Sequence, residues 1–377
     1  MAYLDYNATS PVRAEAKLAA RRALDIGGNA SSVHALGRAA RTIVEQARAH
    51  VAALAGARPE NVVFTSGGTE ANALALWGAV QGAAEAGARI TRLFVSAVEH
   101  ESVLANAAAL TERMAGLRRE TVPVTGEGVV ELDFLRTALS QGKGRALVAI
   151  MAANNETGVV QPVAEAAELA RSAGALLLVD AVQAAGKMAV PQADYVTLSA
   201  HKIGGPQGTG ALVHRSDAPF APAVLGGGQE HGRRAGTENL AGIAGFGAAA
   251  EAAPREPMPA LRDRFETRLR HVAPDAIVFG ERAARLANTS NFALPGVPAE
   301  TALMALDLDG VMMSSGAACS SGKVKPSHVL AAMGVTPEIA RSALRASFGW
   351  ASAEADVDEA IASLAKLLAR IRARVAA

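Results

Sequence analysis

The chain has 377 residues, half of them hydrophobic, so it can bury a large core and divide into two domains. Its 37 basic and 36 acidic residues nearly cancel and only 4% are aromatic, which excludes a phosphate-tracking basic stripe and a base-stacking surface, and with them nucleic-acid binding. One cysteine, Cys319, excludes an intramolecular disulfide and a multi-cysteine metal site within one chain.

The opening Met1-Ala-Tyr-Leu-Asp-Tyr-Asn7 lacks the basic and apolar regions of a signal peptide, and the longest apolar stretch, 146–153, is too short to span a bilayer. The expectation is a soluble protein of a reducing compartment, most simply the cytoplasm. After this extended start, 29–34 reads as a loop and 36–55 as an amphipathic helix stopped by Gly56 and Pro59. Strands are predicted at 61–65, 93–97, 146–153, 175–179, 195–198 and 210–214, with a turn at Ser66-Gly67-Gly68-Thr69 and a helix over 70–86. Near-continuous apolar strands joined by helices imply a mostly parallel α/β sheet covered on both faces. Polar residues gather where these strands end: Thr69, His100, Asn155, Asp180, Gln183, Ser199 and Lys202. Ligands of open α/β sheets bind outside the carboxyl ends of the strands, so one site is expected there.

Around Ala253-Pro-Arg-Glu-Pro-Met-Pro259 the pattern changes, and a domain boundary is placed there. It separates a large domain over 16–255 from a smaller α+β domain over 256–377, with 1–15 expected to pack against the smaller one. In the second part a charged helix over 260–272 leads to a strand near Ile277. Then come a helix over 300–306, a strand over 343–348 and an amphipathic closing helix over 353–376.

The chemistry centres on Tyr195-Val-Thr-Leu-Ser-Ala-His-Lys202. Burial at a strand end lowers a lysine's pKa and frees its amine to condense with an aldehyde. Ser199 and His201 just before it are donors suited to an anion, although most strand-end lysines are simply solvated. Ser66-Gly67-Gly68-Thr69, between strand and helix, offers backbone N–H groups and a helix N-terminus to a phosphate, but lacks the lysine of a P-loop. Asp180 ends a wholly apolar strand, where a carboxylate needs a partner; it could hold a pyridine nitrogen protonated or act as an ordinary N-cap. Gln183 and Asn155 could bond ring or substrate oxygens and His100 could stack on a flat ring, while each alone is more often structural. Together they supply what pyridoxal 5'-phosphate requires: a lysine, an acid, a stacking ring and a phosphate cradle.

Gly67-Gly-Thr-Glu70, Asn154-Asn-Glu-Thr-Gly158, Asp180-Ala-Val-Gln183, Ser199-Ala-His-Lys202, Arg234-Ala-Gly-Thr-Glu-Asn239 and Ser314-Ser-Gly-Ala-Ala-Cys-Ser-Ser321 resemble the motifs of the cysteine desulfurases. These are class V aminotransferase-like, fold type I enzymes, and the motifs stand in family order over nearly the whole chain. The resemblance implies a large domain with a mostly parallel seven-stranded sheet, and a smaller α+β domain. It implies that Lys202 carries pyridoxal phosphate, His100 stacks on it, and Asp180 pairs with its ring nitrogen. Gln183 and Asn155 contact ring or substrate oxygens, and Gly68, Thr69, Ser199 and His201 hold the phosphate. Thr237 would reach the phosphate of a neighbouring subunit in a homodimer.

Ser and Gly on both sides of Cys319 predict an accessible loop, and the match to the family's sulfur-accepting cysteine is close, in the form of the NifS/IscS-like branch. Arg345, flanked by Ala343, Leu344, Ala346 and Phe348, is the expected clamp on the substrate carboxylate. Tyr6 and Ser10 depart from the residues common in the family's opening motif, and Leu225 and His231 vary around Gly226-Gly-Gly-Gln-Glu230. The expected reaction takes L-cysteine to L-alanine with a persulfide on Cys319, passed to an acceptor or scaffold protein for iron–sulfur cluster or related assembly. No metal is expected in the resting enzyme, and Cys319 is the candidate ligand of a cluster during transfer. Selenocysteine lyase, another class V activity, and a non-catalytic sulfur-transfer scaffold are the rival readings.

Overall fold

The computed structural model describes residues 1–253, 259–315 and 326–376; Cys319 and the stretch 254–258 at the placed boundary lie outside them. The chain opens with β1 (Ala2–Tyr3), α1 (Ala14–Ile26) and α2 (Ala35–Ala55). In α2 the buried Ala40, Val44, Ala47 and Val51 recur at helical spacing, and Gly56, left-handed at φ 64°, closes the helix. Strands and helices then alternate through β2 (Val62–Thr65), α3 (Gly68–Glu85), β3 (Ile90–Ser96), α4 (Glu101–Arg113), β4 (Arg118–Val122) and α5 (Leu132–Gln141). They continue with β5 (Arg145–Ala149), α6 (Val163–Ser172), β6 (Leu176–Asp180), β7 (Tyr195–Ser199), β8 (Gly210–His214) and α7 (Leu240–Ala252).

These strands make one seven-stranded sheet in the order β2-β8-β7-β6-β5-β3-β4. Pairings from β7 through β4 are parallel, and β8 runs against both its neighbours. The mostly parallel, doubly covered sheet expected from the sequence is therefore present. Its faces follow the two-residue period: Val62, Phe64 and Phe94 join one apolar layer with α2, α6 and α7, while Val63, Leu93 and Val95 join the other with α3 and α4. The sequence reading placed six of the seven strands. The seventh, β4, is Arg-Arg-Glu-Thr-Val, exposed at four of five positions, because an edge strand has no second neighbour and carries charge in place of an apolar run.

The remaining elements are α8 (Pro259–Val272), β9 (Ile277–Val278), β10 (Thr289–Ala293), α9 (Ala299–Leu308), β11 (Val311–Met312), α10 (His328–Ala332), α11 (Pro337–Ala340), β12 (Ala343–Ser347) and α12 (Glu354–Ala376). β12, β10 and β9 form an antiparallel sheet, and β1 pairs in parallel with β11. Ala2 and Leu4 share an apolar cluster with Phe265, Phe292, Phe348 and Leu364. The segment after β1 is thereby drawn between the two sheets. Asp5 bridges to Ser347 of β12, and Ser10 bonds the carbonyls of His201 and Lys202 beyond β7.

Candidate active site

β2, β3, β5, β6 and β7 all end at one edge of the large sheet, and a cavity of about 250 Å³ lies there. Gly68 and Thr69 enter it from the first turn of α3, His100 from the start of α4, and Asn155 from the loop after β5. Asp180 ends β6 and Gln183 lies beyond it, while Ser199 ends β7 and His201 and Lys202 lie beyond it. Two expected site residues lie elsewhere. Thr237 lines a separate cavity of about 220 Å³, with Ser66, Arg234 and Asn239. That cavity adjoins the same turn, since Arg234 grips Glu70 with two bonds of 2.8 and 3.2 Å. Arg345, on β12, sits outside the cavity lining, and Cys319 is outside the described residues.

One end of the cavity is shaped for an anion. The predicted turn is already helix at Gly68, so N–H groups of the first turn lack intrahelical partners. A Cβ at Gly68 would stand 2.9 Å from Val182 Cγ2. One at Gly210 of β8 would stand 2.5 Å from the carbonyl carbon of Gly67, so the turn packs directly on the neighbouring strand. The Ser199 hydroxyl is buried in this wall without a hydrogen-bond partner among the described residues. His201 Nδ1 meets Thr9 Oγ1 at 3.2 Å, and burial followed by the Lys202 charge pushes its imidazole down to about 4, so at neutral pH it is an uncharged ring.

The opposite wall carries the titratable groups. The Lys202 amine donates to the carbonyls of Asn7 (2.5 Å) and Ala8 (2.9 Å). Burial and then the Arg345 charge lower its pKa to about 8, against the pull of Asp5 and Asp180. Asp180 accepts from Asn72 Nδ2 at 2.7 Å and from the Val182 N–H at 2.9 Å, and Asn72 in turn accepts from Thr197 Oγ1 at 2.6 Å. That chain fixes the carboxylate at the end of its strand. His100 Nδ1 accepts the Ser102 N–H, so its proton sits on Nε2, and burial keeps the ring below its ordinary pKa. His100 thus caps α4 and lines the cavity at once. Arg345 donates Nη1 to the Asn155 carbonyl (2.9 Å) and Nη2 to Asp5 (2.6 Å), while its buried Nε has no partner among the described residues.

Five residues of this network were not singled out from the sequence: Asn72, Ser102, Asn7, Glu99 and Lys187. Asn72 stands three residues after Thr69 on α3 and Lys187 four after Gln183, and that spacing was the one available signal. Among the described residues no group of three or more His, Cys, Asp or Glu side chains gathers as a metal site. No helix among them is long and apolar enough to cross a membrane.

The aminotransferase class-V family profile matches residues 2–360. The chain belongs to this family. A cysteine desulfurase of Cereibacter sphaeroides is 43% identical over 380 residues, covering 98% of this chain and 96% of the relative. The cysteine desulfurase IscS of Dictyoglomus turgidum is 38% identical over 381 residues, covering 98% and 95%. Among solved structures, a NifS-like protein from Rickettsia africae matches with a TM-score of 0.86 at 31% identity, over 98% of this chain and 99% of that one. The class V family depends on pyridoxal phosphate, and the cavity suits it. An amine, a carboxylate fixed at a strand end, an unpartnered buried hydroxyl and a helix N-terminus all face one space.

Proposed function

We propose that this chain is a cysteine desulfurase that converts L-cysteine to L-alanine and passes the sulfur onward through Cys319. The observation that carries the reading is the meeting of Lys202, Asp180 and His100, from three separate strand ends, in one cavity whose buried amine titrates at about 8. Lys202 holds the cofactor, Gly68, Thr69, Ser199 and His201 its phosphate, and Asp180 its ring nitrogen. Bound pyridoxal phosphate withdraws electrons from the substrate carbon that bears the amino group. Arg345 and Asn155 hold the substrate carboxylate. The Lys202 amine, mostly protonated at neutral pH yet far closer to neutrality than an ordinary lysine, takes and returns the proton at Cα. The Cys319 thiolate attacks the substrate sulfur; the C–S bond breaks, its electron pair stays with carbon, and a proton completes alanine. The sulfane sulfur remains on Cys319 as a persulfide.

Thr237 completes the phosphate site of a second subunit in a homodimer, with the division into domains at 16–255 and 256–377. The acceptor is a thiol or scaffold protein serving iron–sulfur or related cofactor assembly in the cytoplasm. Relatives named cysteine desulfurase over nearly their whole length favour sulfur chemistry over selenocysteine lysis or amino transfer to a keto acid. The gathered Lys202, Asp180 and His100 speak against a non-catalytic scaffold. Mixing the purified protein with cysteine and assaying alanine, sulfide and protein-bound persulfide tests the activity. Lys202→Ala abolishes the visible absorption of the lysine-linked cofactor. Cys319→Ala keeps the colour and stops turnover with cysteine as sole thiol; full activity in that variant overturns the persulfide role.

A further inference from the structure

A second lysine lies behind Lys202 and has no part in the chemistry above. Lys187 is half-buried, and its amine turns inward to donate to Gln183 Oε1 at 2.7 Å and Asn7 Oδ1 at 3.0 Å. Both acceptors belong to buried residues. Gln183 Nε2 donates to the Asn7 carbonyl at 2.9 Å, the same oxygen that receives the Lys202 amine. Lys187, Gln183 and Asn7 thus close a ring whose one free corner is the acceptor for Lys202. Asn7 is further held by its Nδ2 on the Asn155 carbonyl and Thr289 Oγ1, and by its N–H on Ser347 Oγ.

We propose that Lys187 is a positioning residue that locks Asn7 to Gln183 and thereby fixes the place of the Lys202 amine. No salt bridge joins Lys187 to an acid among the described residues. The charges that face it are Lys202 and Arg345, with Arg13 on the same small cavity wall; Asp5 is taken up by Arg345, and Asp180 faces Lys202 from the large sheet. Burial, and then the Lys202 and Arg345 charges, push its amine well below the ordinary lysine range. It reaches two buried acceptors from a place where a full positive charge beside Lys202 and Arg345 is disfavoured. An arginine there would keep the donors and impose a permanent charge.

The inference rests on Lys202 as the cofactor-bearing lysine. The test is a pH titration of the visible band of the lysine–cofactor linkage in the holoenzyme, whose nitrogen is Nζ of Lys202. Lys187→Arg should lower its midpoint and Asn7→Asp should raise it, each by about one pH unit, the size of one neighbouring charge in a buried site. Lys187→Met should leave KM nearly unchanged and lower kcat about tenfold, as lost positioning does. Midpoints unmoved by Lys187→Arg and Asn7→Asp overturn the inference, whatever happens to kcat. Should Lys187→Met fail to fold, these two shifts of opposite sign still decide it. Colour retained in Lys202→Ala would instead mean that the underlying lysine assignment has failed.

Discussion

Glu99 offers a sharp test of the site's electrostatics. It lies between β3 and α4, only 1% exposed, with Oε1 accepting the Met151 N–H at 2.6 Å. Burial, and then the charge of Asp180, raise its pKa from 4.5 to about 8. At neutral pH its carboxyl is therefore protonated. Between pH 4.5 and 8 the native state holds a proton that the unfolded chain has released, so the stabilisation is complete below the lower value and is lost as pH rises through the upper one. At about 1.4 kcal/mol per unit, the interval from pH 5.5 to 8 amounts to roughly 3 kcal/mol. Glu99→Gln keeps the acceptor for Met151 and cannot ionise. Urea unfolding of both proteins at pH 5.5, 7.0 and 8.5 isolates the effect, because titrating groups that do not interact with Glu99 cancel in the difference. The difference should move toward the variant by about 3 kcal/mol over that range, and kcat at pH 7 should stay near wild type. A wild-type-minus-variant difference that does not change with pH refutes the assignment of a protonated Glu99.

Ser199→Ala removes a buried hydroxyl that has no partner among the described residues. Stability without cofactor should hold or rise slightly, while pyridoxal phosphate affinity falls about tenfold or more, the worth of one charge-assisted bond; equilibrium loading read by absorbance checks both, and unchanged affinity removes Ser199 from the phosphate site. Arg285 and Glu266 pair through two bonds of 2.6 and 2.9 Å with both side chains almost fully enclosed. Glu266→Ala strands the guanidinium and should cost about 3–5 kcal/mol in urea unfolding. A loss below 1 kcal/mol, the scale of an exposed pair, would show that water reaches the arginine.

What the sequence disclosed follows from how each group is carried. β5, β6 and β7 are covered on both faces, so they read as apolar runs, and Asp180 and Lys202 at their ends stood out against that background. β4 was hidden because its outer edge is solvated and its residues are those of a loop. Asn72 looked like any polar residue on a helix; only the packing of α3 over β6 and β7 brings it to Asp180 and Thr197. Lys187 carried only its four-residue spacing from Gln183. A lysine at such spacing is ordinarily solvated, and its burial is decided by the arrival of Asn7 from the far end of the chain.

That arrival is what makes the site one unit. β1 pairs with β11, and the next few residues are forced between the sheets, where each takes hold of a different working group. Asp5 holds Arg345, Asn7 and Ala8 hold Lys202, Thr9 meets His201, and Ser10 bonds the backbone after β7. Tyr6, a departure from the expected opening motif, packs so tightly on Gly349 that a Cβ there would overlap its ring at 1.7 Å. Arg345 on β12 and the Lys202 amine beyond β7 therefore share one ruler. A displacement of β1 relative to β11 would move both together, and the guanidinium and the amine keep their register because neither is positioned by its own sheet alone.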